Sequence, residues 1–209
     1  MSKINIAVLV SGGGTNLQSI IDHVEAGNIN GKIEVIISSK KDAYALKRAE
    51  NHGIEGVYMG KGNFPDLKER NSRILEILEE KEIDLIVLAG YMSILDENMV
   101  GKYKNRIINI HPSLIPSFCG KGFYGKKVHE AVLEYGVKLT GATVHFVDEG
   151  TDTGPVISQK SVEVKDDDTV EDIAKRVLGV EHEILPLAVK LFCEKKLEVV
   201  GRRVIVKNV

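Results

Sequence analysis

The 209-residue sequence has no tryptophan, only two cysteines and five prolines, and 5% aromatic residues. Cys119 and Cys193 build no disulfide framework and lack the Cys-x-x-Cys spacing of a thiolate zinc site, so a reducing compartment is the expected home. Charge of one sign is also missing: the formal net charge is −2 and the pI about 6.3. A protein that tracks a nucleic-acid backbone carries a basic surplus, so no nucleic-acid partner is expected. No apolar run approaches the roughly twenty residues of a membrane span. The N-terminal run Ile4–Val10 meets glycines at once and has no cleavage site after it, which reads as neither anchor nor signal. A soluble cytoplasmic protein is expected. Low-complexity tracts, repeats and Pro/Ser-rich linkers are absent too, and residues 1–209 read as a single domain.

What is present is a 43% hydrophobic chain with enough length for a sizeable core. Short β-branched runs at Ile4–Val10, Ile33–Ser38, Gly56–Met59, Ile83–Ala89 and Arg106–Ile110 alternate with longer amphipathic stretches. In Asn16–Ala26 and Asp66–Lys81 the apolar residues recur at helical spacing, the second through Leu67, Ile74, Leu75 and Leu78. Largely apolar strands separated by helices predict an α/β fold with a doubly wound, mostly parallel sheet. Further on, Lys126–Tyr135 reads as a helix, and Thr143–Asp148 and Pro155–Val164 as strands. A long helix then opens at Thr169 and Asp172, a capping-box pair preceded by three aspartates. Pro186 is expected to kink or divide it. Two short strands close the chain.

The first strand runs into SGGGTN, where glycines precede a helix. Such a turn lets an anion reach unpaired backbone N–H groups. It is a poor dinucleotide fingerprint, because Leu17 stands where a third glycine belongs and no acid ends the second strand. It is not a Walker loop either. A phosphate monoester fits, with Thr15 and Asn16 as added donors; a plain tight turn with Thr15 as helix cap is the alternative.

The run RIINIHPS carries the stronger signal. Asn109 and His111 share one strand face, and Pro112 sets both at the strand's carboxyl end, where ligands of open α/β sheets bind. An amide donor beside an imidazole suits acyl transfer: Asn109 for an oxyanion, His111 for a proton. A hydrogen-bonded structural histidine is the alternative. Asp152, in DEGTDTG, is either an Asx-turn residue or a carboxylate that pairs with His111 and raises its pKa. His145 reads as a packed strand residue, Cys119 as an inert loop thiol, and the histidine spacings give no metal site.

Together SGGGTNLQ, LAGYMSIL, NIHPSLIPSF, TGATVHFVDEGTDTGPVI and VEHEILP resemble the phosphoribosylglycinamide formyltransferases, folate-dependent enzymes of purine synthesis with a formyltransferase-like Rossmann variant fold. The resemblance spans nearly the whole chain. It implies formyl transfer from 10-formyltetrahydrofolate, as co-substrate, to the amine of glycinamide ribonucleotide, without a metal. It makes Asn109, His111 and Asp152 the catalytic trio. It gives Gly13, Gly14, Thr15, Asn16 and Leu17 to the ribonucleotide phosphate and Glu181, otherwise a half-exposed helix residue, to the ribose. It gives Met92, Ser93, Ile94 and Leu95, with Asn109 and Asp148, to the folate, and Lys68 to the folate's glutamate tail. The chain departs from the family pattern at Ser93 and Leu178, and its Ser117–Gly125 loop is longer. Sibling activities are expected with added domains, a C-terminal one for methionyl-tRNA formyltransferase and an N-terminal regulatory one for formyltetrahydrofolate hydrolase. A non-catalytic nucleotide-binding module is the reading from another class.

Overall fold

The computed structural model describes residues 2–207, which form two compact units dividing after Ile108. The first holds β1 (Ile4–Val10), α1 (Thr15–Glu25), β2 (Gly31–Ser38), α2 (Tyr44–Asn51), β3 (Glu55–Tyr58), α3 (Leu67–Glu80), β4 (Leu85–Leu88) and α4 (Glu97–Lys102). Its strands lie in the order β3-β2-β1-β4, all parallel. β1 explains the arrangement: from Ile6 to Val10 every side chain is enclosed, which suits a central strand covered on both faces. Two short helices, α2 and α4, carry too little apolar periodicity to show in the sequence. The core-facing stripe of α3 also differs from the expected one. Leu67 is exposed and Leu75 half-buried, while Arg70, Asn71 and Ile77 join Ile74 and Leu78 on the buried face.

Strand β5 (Ile107–His111) crosses the division. The second unit continues with α5 (Lys126–Tyr135), β6 (Leu139–Phe146), β7 (Val156–Glu163), α6 (Val170–Cys193), β8 (Leu197–Val200) and β9 (Arg203–Val206). β6 and β7 are antiparallel, β9 joins β7 in parallel, and β8 pairs with β9 as a hairpin. Gly141 on β6 lets the partner strand close in, since a Cβ there would lie 2.1 Å from the Lys160 carbonyl.

Helix α6 starts at the expected capping box, with Thr169 accepting from the Asp172 N–H and Asp172 from that of Thr169. It does not divide at Pro186 but runs unbroken to Cys193. The ring removes one backbone hydrogen bond. Continuous burial of Ile184, Leu185, Ala188 and Val189 on either side holds the helix together. Among the described residues no helix is long and apolar enough to cross a membrane.

Candidate active site

In the second unit, Asn109 and His111 end β5 on one face, His145 comes from β6, and Asp152 from the loop between β6 and β7. His111 and His145 are 4% and 2% exposed, so their protons are defined by protein partners. The Nε2 atom of His111 lies 2.9 Å from the Phe118 carbonyl. A carbonyl only accepts, so Nε2 carries a proton and the neutral ring keeps its lone pair on Nδ1, which faces Asp152 Oδ2 at 3.6 Å. The same reasoning fixes His145. Its Nδ1 donates to the Phe146 carbonyl at 2.8 Å, leaving Nε2 to accept from Asn109 Nδ2 at 3.1 Å. Asn109 is thereby oriented by His145. His145 Nε2 also stands 3.6 Å from Asp152 Oδ1. One carboxylate thus faces two imidazoles.

Asp152 takes a left-handed backbone, φ 57°, a conformation an aspartate tolerates and one that recurs at functional loops. The Gly120 N–H donates to its Oδ2 at 2.9 Å. Burial opposes its ionisation, but His145, that N–H and His111 together hold the carboxyl below its ordinary range. For His111 the expected direction is reversed. Burial is the largest influence and pushes the imidazole down. Asp152 and the Phe118 carbonyl do raise it, as the sequence suggests, but they do not overcome the desolvation. The shift favours the neutral imidazole in the ligand-free protein. The Asx-turn role belongs to Asp148 instead, whose Oδ1 accepts from the Gly150 N–H at 3.1 Å and the Thr153 hydroxyl at 2.5 Å. Gly154 is required here: a Cβ would lie 1.8 Å from the Phe146 carbonyl oxygen.

Three participants escape a linear reading. His145 looks like a packed strand residue, and it is packed, but it also orients Asn109. The backbones of Phe118 and Gly120 contribute through their carbonyl and amide, which no side-chain motif records. Cys119 next to them donates to the Pro116 carbonyl, and burial and Asp152 both push its thiol up, away from nucleophilic use. Glu181 is 8% exposed rather than half-exposed, enclosed on α6. Among the described residues no group of three or more His, Cys, Asp or Glu side chains is placed to hold a metal ion.

In the first unit the glycine turn leads into α1. The cap is Gly14 at φ 72°, not Thr15, which is the first helical residue and exposed. A Cβ on Gly14 would meet Ala45 Cβ at 2.8 Å, whereas Gly12 and Gly13 have open space. Arg48 Nε donates to the Gly13 carbonyl at 2.8 Å, and the Ala45 N–H to that of Gly12 at 3.2 Å. These bonds engage the loop's carbonyls. The first N–H groups of a helix have no acceptor within it, which is the general basis for anion binding at such a turn. Asn16 is half-buried and Leu17 enclosed. Further along, the Met92 N–H donates to Ser11 Oγ at 2.8 Å and the Ile94 carbonyl accepts from Asn71 at 3.3 Å. That commits two backbone groups of the Met92–Leu95 segment and leaves Met92 and Ile94 side chains 54% and 73% exposed. Ser93 and Leu95 are half-buried, and Lys68 stands exposed on the first turn of α3.

Residues 4–189 match the model of the formyl transferase family. A chloroplastic phosphoribosylglycinamide formyltransferase of Arabidopsis thaliana is 39% identical over 92% of the chain, which spans 66% of that protein's length. The phosphoribosylglycinamide formyltransferase of Haemophilus influenzae is 41% identical over 92% of this chain and 88% of its own. The crystal structure of glycinamide ribonucleotide transformylase 1 from Symbiobacterium toebii superposes with a TM-score of 0.93 at 43% identity, covering 99% of this chain and 95% of that one. With its Asn-x-His strand end and acidic loop inside the matched span, the chain belongs to the formyl transferase family.

Proposed function

We propose that the chain is a phosphoribosylglycinamide formyltransferase acting as one formyltransferase domain over residues 1–209, with 10-formyltetrahydrofolate and glycinamide ribonucleotide as its small-molecule substrates. The reading includes neither nucleic acid, membrane nor metal, and places the enzyme in the cytoplasm. The observation that carries it is the oriented Asn109 amide beside a neutral, carboxylate-facing His111, in a chain of this family.

In this mechanism the ribonucleotide's amine attacks the formyl carbon. A C–N bond forms, and the carbonyl electrons move onto oxygen. The free Nδ2 hydrogen of Asn109 stabilises that oxyanion. His111 takes the ammonium proton on Nδ1, and Asp152 balances the imidazolium that results. Collapse of the intermediate re-forms the carbonyl and breaks the bond to the folate's N10, which takes the proton back from His111. The products are the formylated ribonucleotide and tetrahydrofolate. Gly13 to Leu17 receive the phosphate, Glu181 the ribose hydroxyls, and the exposed Met92 and Ile94 offer apolar surface to the folate. Lys68 and Asp148 serve the folate less directly, one as a solvated cation and the other by shaping its loop.

The test is an absorbance assay of the folate with and without the ribonucleotide. Turnover only with the ribonucleotide is the expected result. Equal turnover without it would identify a hydrolase and overturn the proposal, as would ligand binding with no turnover at all. In His111→Ala, transfer should be lost.

A further inference from the structure

A neutral imidazole has one ring proton, and two acceptors compete for that of His111. The Phe118 carbonyl lies 2.9 Å from Nε2, and Asp152 Oδ2 lies 3.6 Å from Nδ1. Whichever acceptor holds the proton decides which nitrogen is bare. A carboxylate is the stronger acceptor at equal distance, so the carbonyl prevails only while it is held close. The other titratable groups within electrostatic reach of His111 are the enclosed His145 on β6 and His129 on α5, and a charge on either disfavours one on His111.

The hold on the carbonyl comes from Phe118 itself. Its backbone is left-handed, φ 50°, a conformation that is costly for a bulky side chain and persists only where the surroundings impose it. Its ring meets two others edge-on: Phe123 at 6.3 Å between centroids and Tyr135 at 5.9 Å. Phe123 lies in the same loop, where its N–H donates to the Gly120 carbonyl at 3.1 Å. Tyr135 is the last residue of α5 and is 79% exposed, so the core makes little use of its ring. Ser113 Oγ approaches the Phe118 carbonyl at 3.3 Å but is engaged with that of Ser117 at 2.6 Å. Two residues after Phe118, the Gly120 N–H holds Asp152 Oδ2, so the same loop also places the competing carboxylate.

We propose that Tyr135 and Phe123, through the ring of Phe118, hold the Phe118 carbonyl on His111 and so set which nitrogen of that imidazole is bare. They are positioning residues that act through His111. With the aromatic cluster intact the proton stays on Nε2, and Nδ1 keeps its lone pair. With the cluster loosened, Asp152 takes the ring proton at Nδ1, and the bare nitrogen is on the wrong side of the ring. The proposal rests on the formyl-transfer reading only for its consequence, that Nδ1 accepts the amine's proton. The tautomer itself is a property of the ligand-free protein.

The experiment reads the ring nitrogens of His111 by nitrogen NMR in the ligand-free protein, at a pH where the ring is neutral. It compares wild type, Tyr135→Ala, Tyr135→Phe and Phe118→Ala, with His111→Ala identifying the signals. Bare and protonated imidazole nitrogens resonate far apart, so their positions give the tautomer ratio. Wild type should show Nδ1 bare and Nε2 protonated. One aromatic edge contact is worth about a twofold to tenfold change in an equilibrium. The ratio should move by about that much in Tyr135→Ala and further in Phe118→Ala, which loses both contacts. Tyr135→Phe keeps the ring and should match wild type. In steady-state kinetics kcat should fall in step with the fraction of rings whose Nδ1 is bare, while both KM values hold. A ratio unchanged in Phe118→Ala would overturn the proposal, as would a wild-type ring with its proton on Nδ1. A lower melting temperature with an unchanged ratio marks a structural cluster, and a raised KM with an unchanged ratio marks a substrate contact; either overturns it. If the wild-type chain transfers no formyl group yet the ratio shifts in the variants, the aromatic hold stands and the formyl-transfer reading falls. Tyr135 is exposed, so Tyr135→Ala should fold, and it carries the comparison if Phe118→Ala does not.

Discussion

Asn109 gives one amide hydrogen to His145, and in the proposed mechanism the other stabilises the reacting oxygen, so its truncation removes an interaction felt mainly in the transition state. Asn109→Ala should lower kcat about a hundredfold to a thousandfold with little change in either KM; steady-state kinetics checks this. Asp152 and His111 make a second prediction whose sign follows from their shifts. In the proposed mechanism His111 acts as a base, so activity should fall as pH drops through its pKa. Burial already holds that pKa low, and Asp152 is the charge that opposes the burial. Asp152→Asn removes the opposing charge. The acid limb of the kcat/KM profile should move to lower pH, while kcat falls about a hundredfold because the imidazolium loses its partner. A limb that stays in place would show that Asp152 does not face His111 in the working enzyme. The nearness of Asn109 and His111 was legible in the sequence because strand parity puts both on one face, whereas Asp152 joins them from a loop that parity does not place. His145 was not, because a histidine inside ATVHFV looks the same whether it is merely packed or also donates and accepts. Arg70 was hidden for a related reason: helical periodicity counts apolar residues, and a charged one on the inward face is read as solvent-facing.

At the scale of elements, β1, α5 and the capping box of α6 follow directly from residue pattern, because each has a sharp local signal. Pro186 shows the limit of local rules, since packing on both sides of it outweighs one missing hydrogen bond. The start of α6 supplies a testable term. Asp168 holds Arg176 through two bonds of 2.8 and 2.7 Å and accepts from the Lys165 N–H. The Arg176 bonds, foremost, bring its carboxyl from 3.8 down to about 2. A carboxyl depressed on folding stabilises the native state above its unfolded pKa and loses that contribution as pH falls through the folded one. Asp168→Asn should therefore lower the melting temperature at neutral pH. The gap from wild type should be complete above pH 3.8 and close towards pH 2. Melting curves across that range decide it. Thr169→Ala should cost about 1 kcal/mol through the lost cap, with an acid dependence of its own, because the Thr169 hydroxyl also donates to Asp172 Oδ2 at 2.6 Å and holds that carboxyl below its ordinary range.

For the molecule as a whole, binding and chemistry should separate by mutation, because the proposed phosphate turn and the proton-transfer group lie on different elements. A ligand held only by the native state stabilises it by about 2.7 kcal/mol at a hundred times its Kd. In a chain of this size that corresponds to a melting shift of roughly 5–10 °C. His111→Ala should keep the shift given by glycinamide ribonucleotide while losing turnover. Gly13→Asp should do the reverse to the ligand response. Position 13 has open space for a side chain and no positive φ, so the variant should fold. The new carboxylate would then stand where the proposed function puts the phosphate and repel it. The ribonucleotide shift should disappear in Gly13→Asp, while the shift given by the folate persists. If the ribonucleotide still stabilised that variant as it does wild type, the glycine turn would be only a way of starting α1, and the phosphate would have to be held elsewhere.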